Sequence, residues 1–98
     1  MRKPPNDCTD MATLRAQIDA IDADLLTLLA ERATYIVRAI PLKQAANLPA
    51  RTDDRIAAMI ADLRRQATEK GVDPALAETL WHTIIDWGIA HEAPHLED

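Results

Sequence analysis

Residues 11–39 read MATLRAQIDAIDADLLTLLAERATYIVRA. Met11, Leu14, Ile18, Ile21, Leu25 and Leu28 recur at alternating spacings of three and four, which is a heptad stripe. The same rule continues to Arg32, Tyr35 and Ala39, while Leu26, Leu29, Ile36 and Val37 widen the apolar face. Pro41 removes a backbone donor and clashes with the preceding turn, so the pattern predicts one helix over about 11–39, capped by Asp10 or Thr13. At about 1.5 Å per residue that helix is about 43 Å long. A compact domain of roughly 100 residues has a radius of gyration of only about 13 Å. The helix overhangs anything its own chain supplies and calls for a second copy beside it.

Working outward, residues 41–52 read as a loop bounded by Pro41 and Pro49. Thr52 or Asp53 caps a second helix over 53–70, whose inward face holds Ile56, Met59, Ile60, Leu63 and Ala67. Gly71 is a left-handed stop, and Asp73-Pro74 opens a third helix over 74–93. Residues 1–10 form an irregular lead-in. The expected fold is therefore all-α. One long N-terminal helix and two shorter ones make a single domain over 1–98, intertwined as a homodimer. A helical hairpin with a bent first helix is the competing arrangement.

Composition narrows the function. The 98 residues hold 11 Lys and Arg against 16 Asp and Glu, a net charge of -5. Such a chain has no net positive field for nucleic acid or an anionic membrane. No apolar run is long enough to span a bilayer, and the N-terminus lacks the apolar stretch of a signal peptide. A single cysteine, Cys8, permits no internal disulfide, so a reducing cytoplasm is expected. Aromatic residues are few, so the core must be aliphatic and rich in alanine, and thin for one chain.

Several charges sit where apolar side chains are expected. Arg32 occupies a stripe position, and a buried guanidinium needs an anionic ligand or a carboxylate. Arg15 lies at the edge of the same stripe, about 25 Å away along the helix. Two antiparallel copies bring Arg15 of one chain near Arg32 of the other; alternatively Arg32 pairs with Asp or Glu across the dimer and Arg15 snorkels. Lys43, just beyond the predicted helix end, either faces solvent or folds back toward Arg32. In the third helix Trp81, Ile85, Gly88 and Glu92 follow one face at spacings of four, three and four. Glu92 then either ends an apolar stripe, where desolvation favours its neutral form, or lies exposed at a frayed end. Gly88 makes room for a ligand or for a close helix crossing. The three histidines do not converge in a metal-ligand spacing, so no metal is expected. There is no serine, no phosphate loop and no dinucleotide fingerprint. An enzyme built this way works with cationic clamps and hydrogen bonds around a small anion.

The run Leu14-Arg15, Ile18-Asp19, Ile21-Asp22, Leu28-Leu29-Ala30-Glu31-Arg32 closely resembles the all-helical chorismate mutase family, over nearly the whole chain. Pro5-Asn6-Asp7-Cys8-Thr9 and Ile84-Ile85-Asp86-Trp87-Gly88-Ile89-Ala90 look like its isochorismate pyruvate lyase branch. The resemblance implies a cofactor-free pericyclic enzyme acting on a chorismate-like dianion, in a homodimer whose sites are shared between chains. Arg15 is implied to reach a substrate carboxylate from the partner subunit, Arg32 to grip a carboxylate in the same chain, and Lys43 to hydrogen-bond the ether oxygen of the breaking bond. Asp54 and Ile89 complete the implied substrate-binding set with Glu92. Glu92 stands where the best-known mutase and lyase have glutamine. It resembles other mutases, in which a protonated carboxyl donates to the same oxygen. The family's extra arginine at the start of the second helix is missing, as it is in the lyase branch; the matching positions here are Asp53 and Asp54.

The first expectation is thus chorismate mutase, converting chorismate to prephenate. Isochorismate pyruvate lyase, yielding salicylate and pyruvate, is the alternative within the resemblance. A non-catalytic helical dimer that binds or regulates another enzyme is the alternative from a different class.

Overall fold

The computed structural model describes residues 2–96, which form three helices with no strand among them. They are α1 (Met11–Ala46), α2 (Asp53–Lys70) and α3 (Pro74–Glu92), flanked by short 3-10 turns at Pro5–Asp7 and Ala93–His95. The all-α expectation holds. The chain divides into two compact units, Met1–Tyr35 and Ile36–Asp98, and α1 runs from one into the other.

In the first unit Asp10 caps α1, accepting the Thr13 backbone N–H at 2.7 Å. Those hydrogen bonds from Thr13 hold the Asp10 carboxyl below its usual value. The lead-in is tied to the helix it precedes: Arg2 pairs with Asp24 at 2.7 Å, and the Lys3 N–H donates to Gln17 Oε1 at 2.8 Å. A cavity of about 560 Å³ opens between this arm and Leu14, Ile18 and Ile21. The heptad stripe stays bare. Met11, Ile18, Ile21, Leu25 and Leu28 are 41–60% exposed, and α1 buries no residue.

Helix α1 does not stop before Pro41 as expected; it continues to Ala46, with Pro41 inside it. An interior proline costs roughly 3 kcal/mol. The residues beyond it, Leu42, Lys43, Gln44, Ala45 and Ala46, are good helix formers. Closure comes from Asn47, left-handed at φ 56°, with the Leu48 N–H on the Lys43 carbonyl at 2.9 Å. The loop between the first two helices is correspondingly shorter than the predicted 41–52.

The second unit is built on α2 packed against α3. Its buried apolar side chains are small, Ala50, Ala67 and Ala77, with Ile85 the largest. Helix α2 starts at Asp53 with Thr52 at its N-cap, but no side chain caps it. It ends at Gly71 in the left-handed region, φ 78°, with the Val72 N–H on the Ala67 carbonyl at 2.7 Å. Asp73 caps α3 through the Ala75 N–H at 2.9 Å, with Pro74 at the first helical position. Arg64 bridges to Glu78 at 2.9 Å, linking the two helices at their surface. Gly88 faces a side chain of α1 rather than open space: a Cβ there would meet Ile36 Cγ2 at 3.7 Å, an ordinary contact.

Candidate active site

Lys43 and Glu92, 49 residues apart in the sequence, meet in the second unit. Lys43 sits in the last turn of α1, where the outgoing carbonyls favour a cation. The left-handed turn at Asn47 sends the chain back beside it, and Lys43 Nζ donates to the Ala50 carbonyl at 2.8 Å. Glu92 is the last residue of α3 and is 4% exposed, so the frayed-end reading gives way to the buried one. The stripe leading to it is as spaced in the sequence, with Ile85 and Gly88 buried and Trp81 half-buried.

Lys43 Nζ lies 3.1 Å from Glu92 Oε1, with the side chains 20% and 5% exposed. Yet Oε1 has no hydrogen-bond partner among the described residues. The two facts agree if the ion pair is close but misaligned, since the angle decides a hydrogen bond as much as the distance does. A buried pair of this kind is a poor stabilising device, because desolvation offsets much of the Coulombic gain. An ammonium carries three protons. One goes to Ala50, one side faces Glu92, and the remainder is available to a developing negative charge.

The other expected residues are placed as follows. Ile89 is half-buried on α3, three residues before Glu92 and so on a neighbouring face of the same helix. Asp54 is exposed in the first turn of α2, beside Asp53, which pairs with Arg51 at 2.6 Å. Arg15 is exposed and Arg32 half-buried, both on the α1 segment of the first unit, and neither has an ion pair or hydrogen bond among the described residues. About 25 Å of helix separates them, too far for one small ligand to bridge within a chain. Of the histidines, His91 stacks on Trp87 with centroids 5.1 Å apart, and His82 lies 3.5 Å from Glu78.

Two contributors escape a reading of side chains in sequence. The Ala50 carbonyl that holds Lys43 is main chain, and no residue type signals it. Gln44, whose Nε2 donates to the His95 carbonyl at 3.0 Å, was hidden because helix α1 was expected to end before it. Asn47 just past an alanine pair is the signal that finds the true helix end.

Comparison with known proteins bears on this arrangement. A family model described as chorismate mutase type II matches residues 14–93. Isochorismate pyruvate lyase of Pseudomonas aeruginosa is 40% identical over 91 residues, covering 92% of this chain and 88% of that protein. The 4-amino-4-deoxychorismate mutase of Streptomyces pristinaespiralis is 38% identical over 82 residues, 83% of this chain and 64% of that protein. The T-protein of Enterobacter agglomerans is 34% identical over 76 residues, and the matched part is 20% of its length.

Proposed function

The chain belongs to the chorismate mutase type II family and is an enzyme of chorismate mutase type; from that premise we propose that it converts chorismate to prephenate by a Claisen rearrangement. The observation that carries the reading is the Lys43 ammonium held between the Ala50 carbonyl and the buried Glu92. In this reaction the enolpyruvyl ether C–O bond breaks as a C–C bond forms, and no nucleophile or cofactor takes part. The protein's task is to hold the reactive conformer and to stabilise negative charge growing on the ether oxygen. Lys43 donates to that oxygen, and Glu92 beside it positions the ammonium. Arg32 grips one substrate carboxylate, Asp54 orders the substrate hydroxyl, and Ile89 supplies an apolar wall.

The second carboxylate is met by Arg15 of a partner subunit, so the whole chain, 1–98, works as one domain of a homodimer. The bare stripe of α1 supports this. Burying the half-exposed side chains of Met11, Ile18, Ile21, Leu25 and Leu28 is worth roughly 1 kcal/mol each, on the order of 10 kcal/mol over two protomers. No helix among the described residues is long and apolar enough to cross a membrane, and a cytoplasmic setting accords with the lone Cys8.

A second reading is isochorismate pyruvate lyase, in which hydrogen transfers to the departing enolpyruvyl group and salicylate and pyruvate result. It is favoured by the 40% identity that spans nearly all of this chain and of the Pseudomonas aeruginosa protein. The two are separated by incubating the enzyme with chorismate and with isochorismate and comparing kcat/KM for prephenate and salicylate formation. Higher kcat/KM with chorismate is expected; the reverse makes the lyase reading the right one, and neither product from folded protein sinks both. Glu92→Ala is expected to lower kcat by about tenfold or more, because it removes the buried carboxyl beside Lys43. An unchanged kcat would exclude Glu92 from the site.

A further inference from the structure

We propose that Gln44 is a positioning residue that holds Glu92 against Lys43, a role that rests on reading those two as the catalytic pair. Gln44 follows Lys43 directly on the last turn of α1, and it is exposed. An exposed glutamine ordinarily spends its amide on water. Here Nε2 donates to the His95 carbonyl at 3.0 Å, across 51 residues of sequence. His95 closes the 3-10 turn that begins immediately after Glu92.

The need for such a tie follows from the pair itself. The Nζ–Oε1 contact is close but lacks hydrogen-bond alignment, so it attracts without fixing direction. Direction must come from the neighbours on each side. On the lysine side it comes from the Ala50 carbonyl. On the glutamate side α3 ends at Glu92, and the next turn is held locally by the Ala93 N–H on the Ile89 carbonyl and the Leu96 N–H on the Ala93 carbonyl. Pro94 in that turn has no N–H to contribute. Both local bonds lie within the C-terminal segment and do not tie it to α1. The Gln44 bond does, and it joins the residue after Lys43 to the turn after Glu92. A catalytic group must be held to about 0.5 Å, and a 1 Å error costs about 100-fold in rate.

The test is Gln44→Met, which keeps length and helix propensity and removes the donor without adding charge. Its kcat is expected to fall about tenfold, within the range that such a displacement allows, while KM changes less than twofold and the melting temperature stays near wild type. Gln44→Lys restores a donor and is expected to recover kcat. In an E92A background, Gln44→Met is expected to have no further effect, because the group it positions is gone. A Gln44→Met enzyme within twofold of the wild-type kcat overturns the proposal, and so does a tenfold loss that persists in E92A. Failure of Gln44→Lys to recover kcat overturns it as well. E92A turning over at the wild-type rate instead overturns the reading of Glu92 as catalytic, and Gln44 then has nothing to position.

Discussion

Leu25 sits in the middle of the α1 stripe and is 52% exposed in the single chain. Full burial of a leucine is worth about 1.5–3 kcal/mol, so covering the remaining half yields roughly 1 kcal/mol. A two-fold dimer counts the residue twice, and Leu25→Ala should then weaken association by about 2 kcal/mol, roughly 30-fold in Kd. Leu25→Asp is harsher, since it leaves a carboxylate in each chain inside an apolar seam, at several kcal/mol per charge. Sedimentation equilibrium over a range of concentrations reads the effect directly. The wild type should stay dimeric at low micromolar concentration, Leu25→Ala should dissociate on dilution, and Leu25→Asp should be monomeric and inactive. If the stripe is only a solvated face, both changes fall within about 0.5 kcal/mol, as surface substitutions usually do. A Leu25→Asp protein that sediments and melts like the wild type refutes the reasoning.

Three further outcomes are expected. Arg15→Ala and Arg32→Ala homodimers should each be nearly inactive, whereas mixing and refolding them should restore activity to one site per heterodimer; no recovery over the parents would show that sites are not shared. Gly88→Ala should stabilise by about 1 kcal/mol, roughly 4–8 °C in Tm, because the new Cβ meets Ile36 at an ordinary 3.7 Å and the helix gains propensity; a lower Tm would mean the crossing is tighter than that distance implies. The Asp10 carboxyl is depressed by its bonds to Thr13, so its contribution is full above its unfolded value, near 3.8, and is lost as pH falls through the folded value. Asp10→Ala should therefore lower Tm at neutral pH and narrow the gap to wild type in acid; a constant gap down to pH 2 would exclude the cap as the cause.

Much of the fold is legible in the residues because local rules and tertiary demand agree. The period of α1, the Gly71 stop and the Asp73-Pro74 start are each set within a few residues. The Trp81, Ile85, Gly88, Glu92 spacing leaves Glu92 open between a buried carboxyl and a frayed, exposed end, and the structure buries it. Pro41 is where local and tertiary demands part. Its ring disfavours the helix locally, but the bonds from Lys43, Gln44 and Asn47 lie downstream and keep the turn helical. A propensity argument weighs the proline and cannot see those partners. Thr52 fails for the converse reason, since a suitable cap residue does not guarantee that its side chain turns inward. The Lys43–Glu92 meeting was legible only through the family resemblance, because 49 residues separate the two and periodicity says nothing about which helix ends coincide.

The acceptor that steadies Lys43 is a peptide oxygen, and that determines how heredity can record it. No exchange of one side chain for another deletes the Ala50 carbonyl, so a substitution scan would register position 50 only as a place with little room, at 2% exposure. What moves that oxygen is a change in the number of residues between Asn47 and Thr52. One residue added or removed there displaces the carbonyl by up to about 3.5 Å, further than a hydrogen bond tolerates. Lineages that retain the lysine should therefore vary freely in the letters of this connection wherever volume allows, and hardly at all in its length.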